Sequence, residues 1–256
     1  MIVTRRRALW CGASLATAAL HGTRDAGAFG ESGAFNPRLL VSGGRKLAGS
    51  PRFAGAGRWS MELIRRTSAP ARQVVSEVLA DRPELWSEPF AVWAGDSDIG
   101  SLSNAELRGL SRFFKLGGLL LVDDSAPGTG AFGRAARREL ARVLPEAPPV
   151  HLDSSHVVFK SYYLLDRPVG RVLGSSRLEA IARGKTLQVI FSDVDLLGAL
   201  AHDGQSFTLE VQPGGAQQRE YAIRLAVNLA MYVLCSDYKD DQVHASWLMR
   251  RRPGRR

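Results

Sequence analysis

The chain has 256 residues, 45% of them apolar, and a formal charge of +9. That composition suffices for the core of one sizeable domain and excludes a wholly disordered chain. The charge sits at the ends, with +3 in residues 4–28 and +5 in residues 250–256; the body is left at +1, so the high overall charge does not argue for a nucleic-acid-binding surface.

The chain opens with Arg5-Arg6-Arg7, an apolar run of 13 residues (8–20), and Ala26-Gly27-Ala28 in a small-x-small arrangement. This is the layout of a secretory leader, and the arginine pair points to the twin-arginine route. The run is shorter than the ~20 residues a spanning helix needs. Cleavage after Ala28 leaves 228 residues and assigns the chain to the periplasm or cell envelope; the alternative is an ordinary basic start on a cytoplasmic protein. Of the two cysteines, Cys11 departs with this leader, so the mature chain has no internal disulfide and no Cys-His metal cluster.

Residues 29–50, rich in Gly, Ser and Ala, read as a flexible linker, and one α/β domain is expected over 51–245. Residues 52–55 fit a first strand and 59–66 a first helix. Residues 70–80, with Val74, Val75, Val78 and Leu79, read as a short amphipathic helix or mixed element. A connection (83–89) leads to a strand at 90–94.

The signals are strongest in 103–125. Ser103 and Glu106 form a capping box, and Leu107, Leu110, Phe113 and Phe114 recur at helical spacing. Gly117-Gly118 stops the helix, and Leu119-Leu120-Leu121-Val122 lacks polar alternation, as in a strand covered on both faces. Strand, helix and strand make a βαβ unit that delivers Asp123, Asp124 and Ser125 to a strand's carboxyl end, where ligands collect in open parallel sheets.

A loop (126–130) and a basic amphipathic helix (131–144) follow, then a proline break and a short extended piece at Val157-Val158-Phe159. A buried strand at 187–191 closes on Ser192-Asp193-Val194-Asp195, and 219–235 reads as a long apolar last helix containing Asn228, a buried amide in need of a partner. Cys235 reads as a buried, inert thiol. Residues 246–256 form a disordered basic tail, either solvated or in peripheral contact with anionic membrane or polysaccharide.

Adjacent Asp123 and Asp124 point to opposite faces of a strand, so one at most faces a given pocket. Asp193 and Asp195 can share a side, either as ligands of a hard cation or as caps on backbone amides. Ser125 with His156 as base would make a nucleophile, but Ser125 lacks the flanking glycines of a nucleophile elbow. His156 with Asp124 and Asp195 would alternatively offer a mixed nitrogen–oxygen metal site. The sequence identifies no cofactor. Gly128-Thr129-Gly130 before a helix is a weak anion-loop signal, and Trp59, Trp86 and Trp93 read as core or rim residues.

The segments Leu116 to Asp124, His156 to Phe159, Phe191 to Leu196 and Arg224 to Tyr232 resemble the family of the domain of unknown function 4159 (DUF4159), over roughly 52–244. The resemblance implies a flavodoxin-like, mostly parallel sheet with helices on both faces, akin to class I glutamine amidotransferases and trehalose-utilisation proteins. Those amidotransferases carry a cysteine after the central strand, where this chain has Asp124 and Ser125. Thiolate-driven glutamine hydrolysis is therefore not available. The expected function is a non-enzymatic ligand- or protein-binding domain of the envelope, with an envelope protein as partner and no nucleic acid. The alternative is a hydrolase with Asp124, Ser125, His156 and Asp195 as its constellation.

Overall fold

The computed structural model describes residues 33–184 and 186–250, with side chains through residue 236. The leader expected over 1–28 and the end of the expected tail (251–256) lie outside the described residues.

Seven strands form one mixed, mostly parallel sheet: β1 (Arg38–Val41), β2 (Glu77–Leu79), β3 (Phe90–Gly95), β4 (Leu119–Asp124), β5 (Val150–Leu152), β6 (Leu178–Arg183) and β7 (Thr186–Ser192). Their order is β2-β1-β3-β4-β7-β6-β5. The first five strands in that order run parallel, and β6 is antiparallel to both β7 and β5.

Among the described residues, five α-helices cover the sheet: α1 (Pro51–Thr67), α2 (Asn104–Lys115), α3 (Ala131–Val143), α4 (Leu196–Leu200) and α5 (Gly215–Arg250). Strand side chains alternate between two apolar layers. Leu119 and Leu121 join Leu39, Val92 and Ile190 against α1, α4 and α5, whereas Leu120 and Val122 join Leu40, Trp93 and Phe191 against α2 and α3. The unbroken apolar run in β4 therefore follows from cover on both faces.

The expected βαβ unit is present. Ser103 accepts from the Glu106 amide at 3.2 Å while Glu106 accepts from the Ser103 amide at 2.8 Å. Gly109 lets α2 lie against the segment after β2, because a Cβ there would stand 1.9 Å from the Ala80 carbonyl oxygen.

The amino-terminal part of the domain differs from the sequence reading. Residues 38–41, expected within a linker, form β1, buried between β2 and β3. Phe35, from the same segment, stacks 5.2 Å from Trp59 and 5.4 Å from Phe90. Residues 52–55 form the start of α1 instead of a strand, since Ser50 caps that helix by accepting from the Arg52 amide and Pro51 fills its first position. Residues 70–80 contain no helix: only Glu77–Leu79 is regular, as β2, and Val74 is exposed.

Strand β6 and helix α4 had no counterpart in the sequence reading. The helix α5 continues through Arg250, into residues read as a disordered tail. Cys235, read from the sequence as a buried thiol, is exposed. Asn228 finds its partners as expected: it accepts from the Tyr162 and Tyr163 amides at 3.2 and 2.7 Å and donates to the Tyr163 carbonyl at 2.8 Å. Trp59 and Trp93 are core residues.

Candidate functional site

In a parallel sheet all strand carboxyl ends open on one edge, and a crevice forms where the chain leaves neighbouring strands in opposite directions. Here that place lies between β1 and β3, since the chain steps from β1 outward to β2 and then returns to β3 on the other side. A cleft of about 360 Å³ occupies it. Ser42, Arg45 and Lys46 line it after β1, Arg52 from α1, Asp96 and Ser97 after β3, and Ser125 after β4. Its apolar wall includes Trp93 and Phe132, packed edge-on at 5.7 Å.

The loop between β1 and α1 is built for a fixed shape. Gly43 and Gly44 take left-handed conformations with φ of 55° and 72°. Glu106 accepts from the Gly43 amide at 2.7 Å, and Glu77 accepts from the Leu47 and Ala48 amides at 2.8 and 3.0 Å. Arg45 donates to the Ser97 hydroxyl at 2.8 Å. Among the described residues, neither Arg45 nor Lys46 forms an ion pair.

Next to this cleft the carboxylates named from the sequence are held by the protein itself. Asp124 accepts from the Ala126 amide at 2.9 Å and the Gly133 amide at 3.1 Å, which ties the end of β4 to the first turn of α3. Asp123 faces the opposite layer, as adjacent strand residues must, and accepts from the Ser192 hydroxyl and the Leu196 and Leu197 amides at 2.9, 2.9 and 2.8 Å. Asp195 is fully buried in a left-handed conformation, φ 53°, and caps α4 through the Gly198 amide at 3.1 Å. The Arg52 guanidinium grips it with two bonds of 2.8 and 2.7 Å, and Arg171 donates to the same carboxylate.

Burial and, next, the charge of Asp195 push the Asp123 carboxyl up to about 7. Hydrogen bonding to Asp195 holds the Arg52 guanidinium above its ordinary range. Asp193 has a separate role: it accepts from the Ser175 amide at 2.9 Å. Asp193 and Asp195 thus serve different partners, and the closely coupled carboxylates are Asp123 and Asp195.

Ser125 sits at the cleft wall, 4% exposed, and its hydroxyl has no hydrogen-bond partner. Its carbonyl accepts from Arg52 at 3.3 Å. Asp124, Ser125 and Asp195 are thereby brought to one edge of the sheet. His156 is not. It begins a short 3-10 turn, Val157–Phe159, where its Nδ1 accepts from the Val158 amide at 3.3 Å and its ring lies 6.1 Å from that of Tyr232.

The last helix measures the separation. Gln218 of α5 donates to the Gly170 and Arg171 carbonyls beside Asp195, whereas Val233 and Leu234 line a crevice with Pro89 and Phe90 at the amino end of β3. From Gln218 to Tyr232 the helix rises about 21 Å, so His156 lies toward the opposite edge. Partial burial also lowers its tendency to hold a proton.

Gly128 and Thr129 form a turn in which the Thr129 hydroxyl donates to the Ala126 carbonyl at 3.0 Å. The residues missed from sequence are those of the 42–50 loop. Their signal was an apolar run, Leu39-Leu40-Val41, followed by glycines and then a Ser-Pro helix start. Among the described residues, no three His, Cys, Asp or Glu side chains gather as metal ligands, and no helix is long and apolar enough to cross a membrane.

No curated protein matches the chain at a significant level. The model of the family described as "Domain of unknown function (DUF4159)" matches residues 54–234, from the first helix to the covered part of the last. The chain, by that match over most of its length, belongs to the DUF4159 family.

Proposed function

We propose that the protein is a non-enzymatic ligand-binding domain whose site is the cleft between β1 and β3, on a flavodoxin-like sheet related to that of amidotransferases. The order of its parallel strands, β2-β1-β3-β4-β7, supports the flavodoxin-like reading, since it is the 2-1-3-4-5 order of that fold. One observation carries the functional reading. At the position where a catalytic group would stand, the Ser125 hydroxyl has no base in reach, and the neighbouring carboxylates are committed to backbone amides and arginines. A serine nucleophile needs an oriented base within about 3 Å, and the one histidine proposed for that task sits beside Tyr232.

Export to the envelope belongs to the same proposal and rests on the arginine-led leader at residues 4–28. An envelope protein partner is proposed with it.

Activity-based labelling with a fluorophosphonate tests the choice between binder and hydrolase. The binding reading expects no adduct on Ser125 while a fragment screen still finds ligands for the cleft. An adduct on Ser125 that is lost in Ser125→Ala would decide for the hydrolase. Fractionation of cells expressing the full chain tests export, and a cytoplasmic pool that keeps residues 1–28 would refute it.

A further inference from the structure

The cleft chooses a ligand class by its unspent donors. Arg45 and Lys46 bring two positive charges to its mouth with no carboxylate bound to either among the described residues, and Asp96 is the one acid in its lining. The loop that carries them is pinned by Glu77 and Glu106, so both cations are presented on a fixed backbone. The first turn of α1, a helix of 17 residues with no acid in that turn, begins at the same cleft through Ser50 and Arg52. Pro51 has no amide there and the Arg52 and Phe53 amides already donate to Ser50, so this turn offers only its dipole to an anion.

The second, independent observation is the Ser125 hydroxyl: buried to more than nine-tenths, lining the cleft and without a partner. A buried hydroxyl left unsatisfied is costly, and an acceptor oxygen from a ligand would remove that cost. Beside these polar groups, the partly buried Leu47 and Ile99 give the cleft accessible apolar surface. We infer that the cleft takes a phosphate monoester on a compact apolar body, the dianion facing Arg45, Lys46 and Ser125 and the body packing toward Leu47 and Ile99. The dianion is preferred to a carboxylate because two cations that no carboxylate pairs with among the described residues, Arg45 and Lys46, and the Ser125 hydroxyl match two charges and three acceptor oxygens. This inference rests on the binding reading above.

The test is titration of the mature chain with phenyl phosphate, followed by backbone amide shifts, with benzoate and benzyl alcohol as parallel probes. Phenyl phosphate is expected to move amides of the 42–50 loop, Asp96, Ser97 and Ser125, and to bind at least about tenfold more tightly than benzoate. Arg45→Ala and Lys46→Ala, both on an exposed loop, are each expected to weaken it about tenfold, the usual scale of a charge-assisted bond. Unchanged affinity in both folded variants would overturn the inference. Benzoate or benzyl alcohol moving the cleft amides where phenyl phosphate does not would overturn the ligand class alone and leave the binding site standing. Release of inorganic phosphate, abolished by Ser125→Ala, would instead overturn the binding reading itself.

Discussion

Asp195 shows how a carboxylate at a strand end is absorbed into structure. It is fully buried, and Arg52 and Arg171 depend on it. Removing one partner of a buried ion pair leaves an uncompensated charge, at a cost of about 3–5 kcal/mol. Asp195→Ala should destabilise the fold by that order in urea unfolding, while Asp193→Ala, which removes the acceptor of the Ser175 amide, should cost about 1 kcal/mol.

Asp123 makes a different prediction. Its carboxyl is raised to about 7 in the fold, against about 3.9 in an unfolded chain. Between those values the folded protein holds a proton that the unfolded chain has lost, so its contribution to stability falls as pH rises from about 4 to about 7. Asp123→Asn should be the less stable form at pH 4.5, by about 1–3 kcal/mol for the Leu197 amide it strands. That disadvantage should shrink toward pH 8. A constant gap across the range would contradict the raised carboxyl. The address of these acids was legible in sequence, because a strand end is a local feature. Their partners were not, since Arg52 meets Asp195 across 143 positions of chain.

At the scale of elements, legibility followed the range of the signal. Helix α2 and strand β4 could be read because cap, stripe, glycine stop and apolar run act within a few residues and agree. Strand β1 could not, since four residues between Gly- and Ser-rich flanks carry no period; its neighbours in the sheet make it a strand. Strand β6, whose pairing with β7 shifts register between Ile181 and Ala182 and whose burial does not alternate regularly, was lost for a similar reason. Packing also reverses a local preference at Gly109. Alanine should favour a helix interior by up to about 1 kcal/mol, yet its Cβ would strike the Ala80 carbonyl. Gly109→Ala should therefore destabilise by about 1–3 kcal/mol on overpacking grounds, read as a lowered urea midpoint. A stabilised variant would show that α2 can withdraw from the segment after β2.

For the whole molecule, the fold begins earlier than both the sequence reading and the family match suggest. β1 stands outside 54–234 yet joins β2 to the rest of the sheet and supplies the loop with Arg45 and Lys46. A chain starting at residue 33 should unfold cooperatively. One starting at residue 51 should not, because it loses β1 and the Phe35 contacts to Trp59 and Phe90. The same strand ties fold to function, since without it the β1–β3 crevice does not exist.

The most direct measurement is amide-shift mapping of the protein against a chemically mixed fragment set containing neutral, cationic and anionic members. Binding at the β1–β3 cleft predicts that the responding amides cluster in residues 42–50, at Asp96 and Ser97, and at Ser125. Shifts gathered instead around His156 and Tyr232, or in the groove between Leu165 and Tyr221, would contradict it.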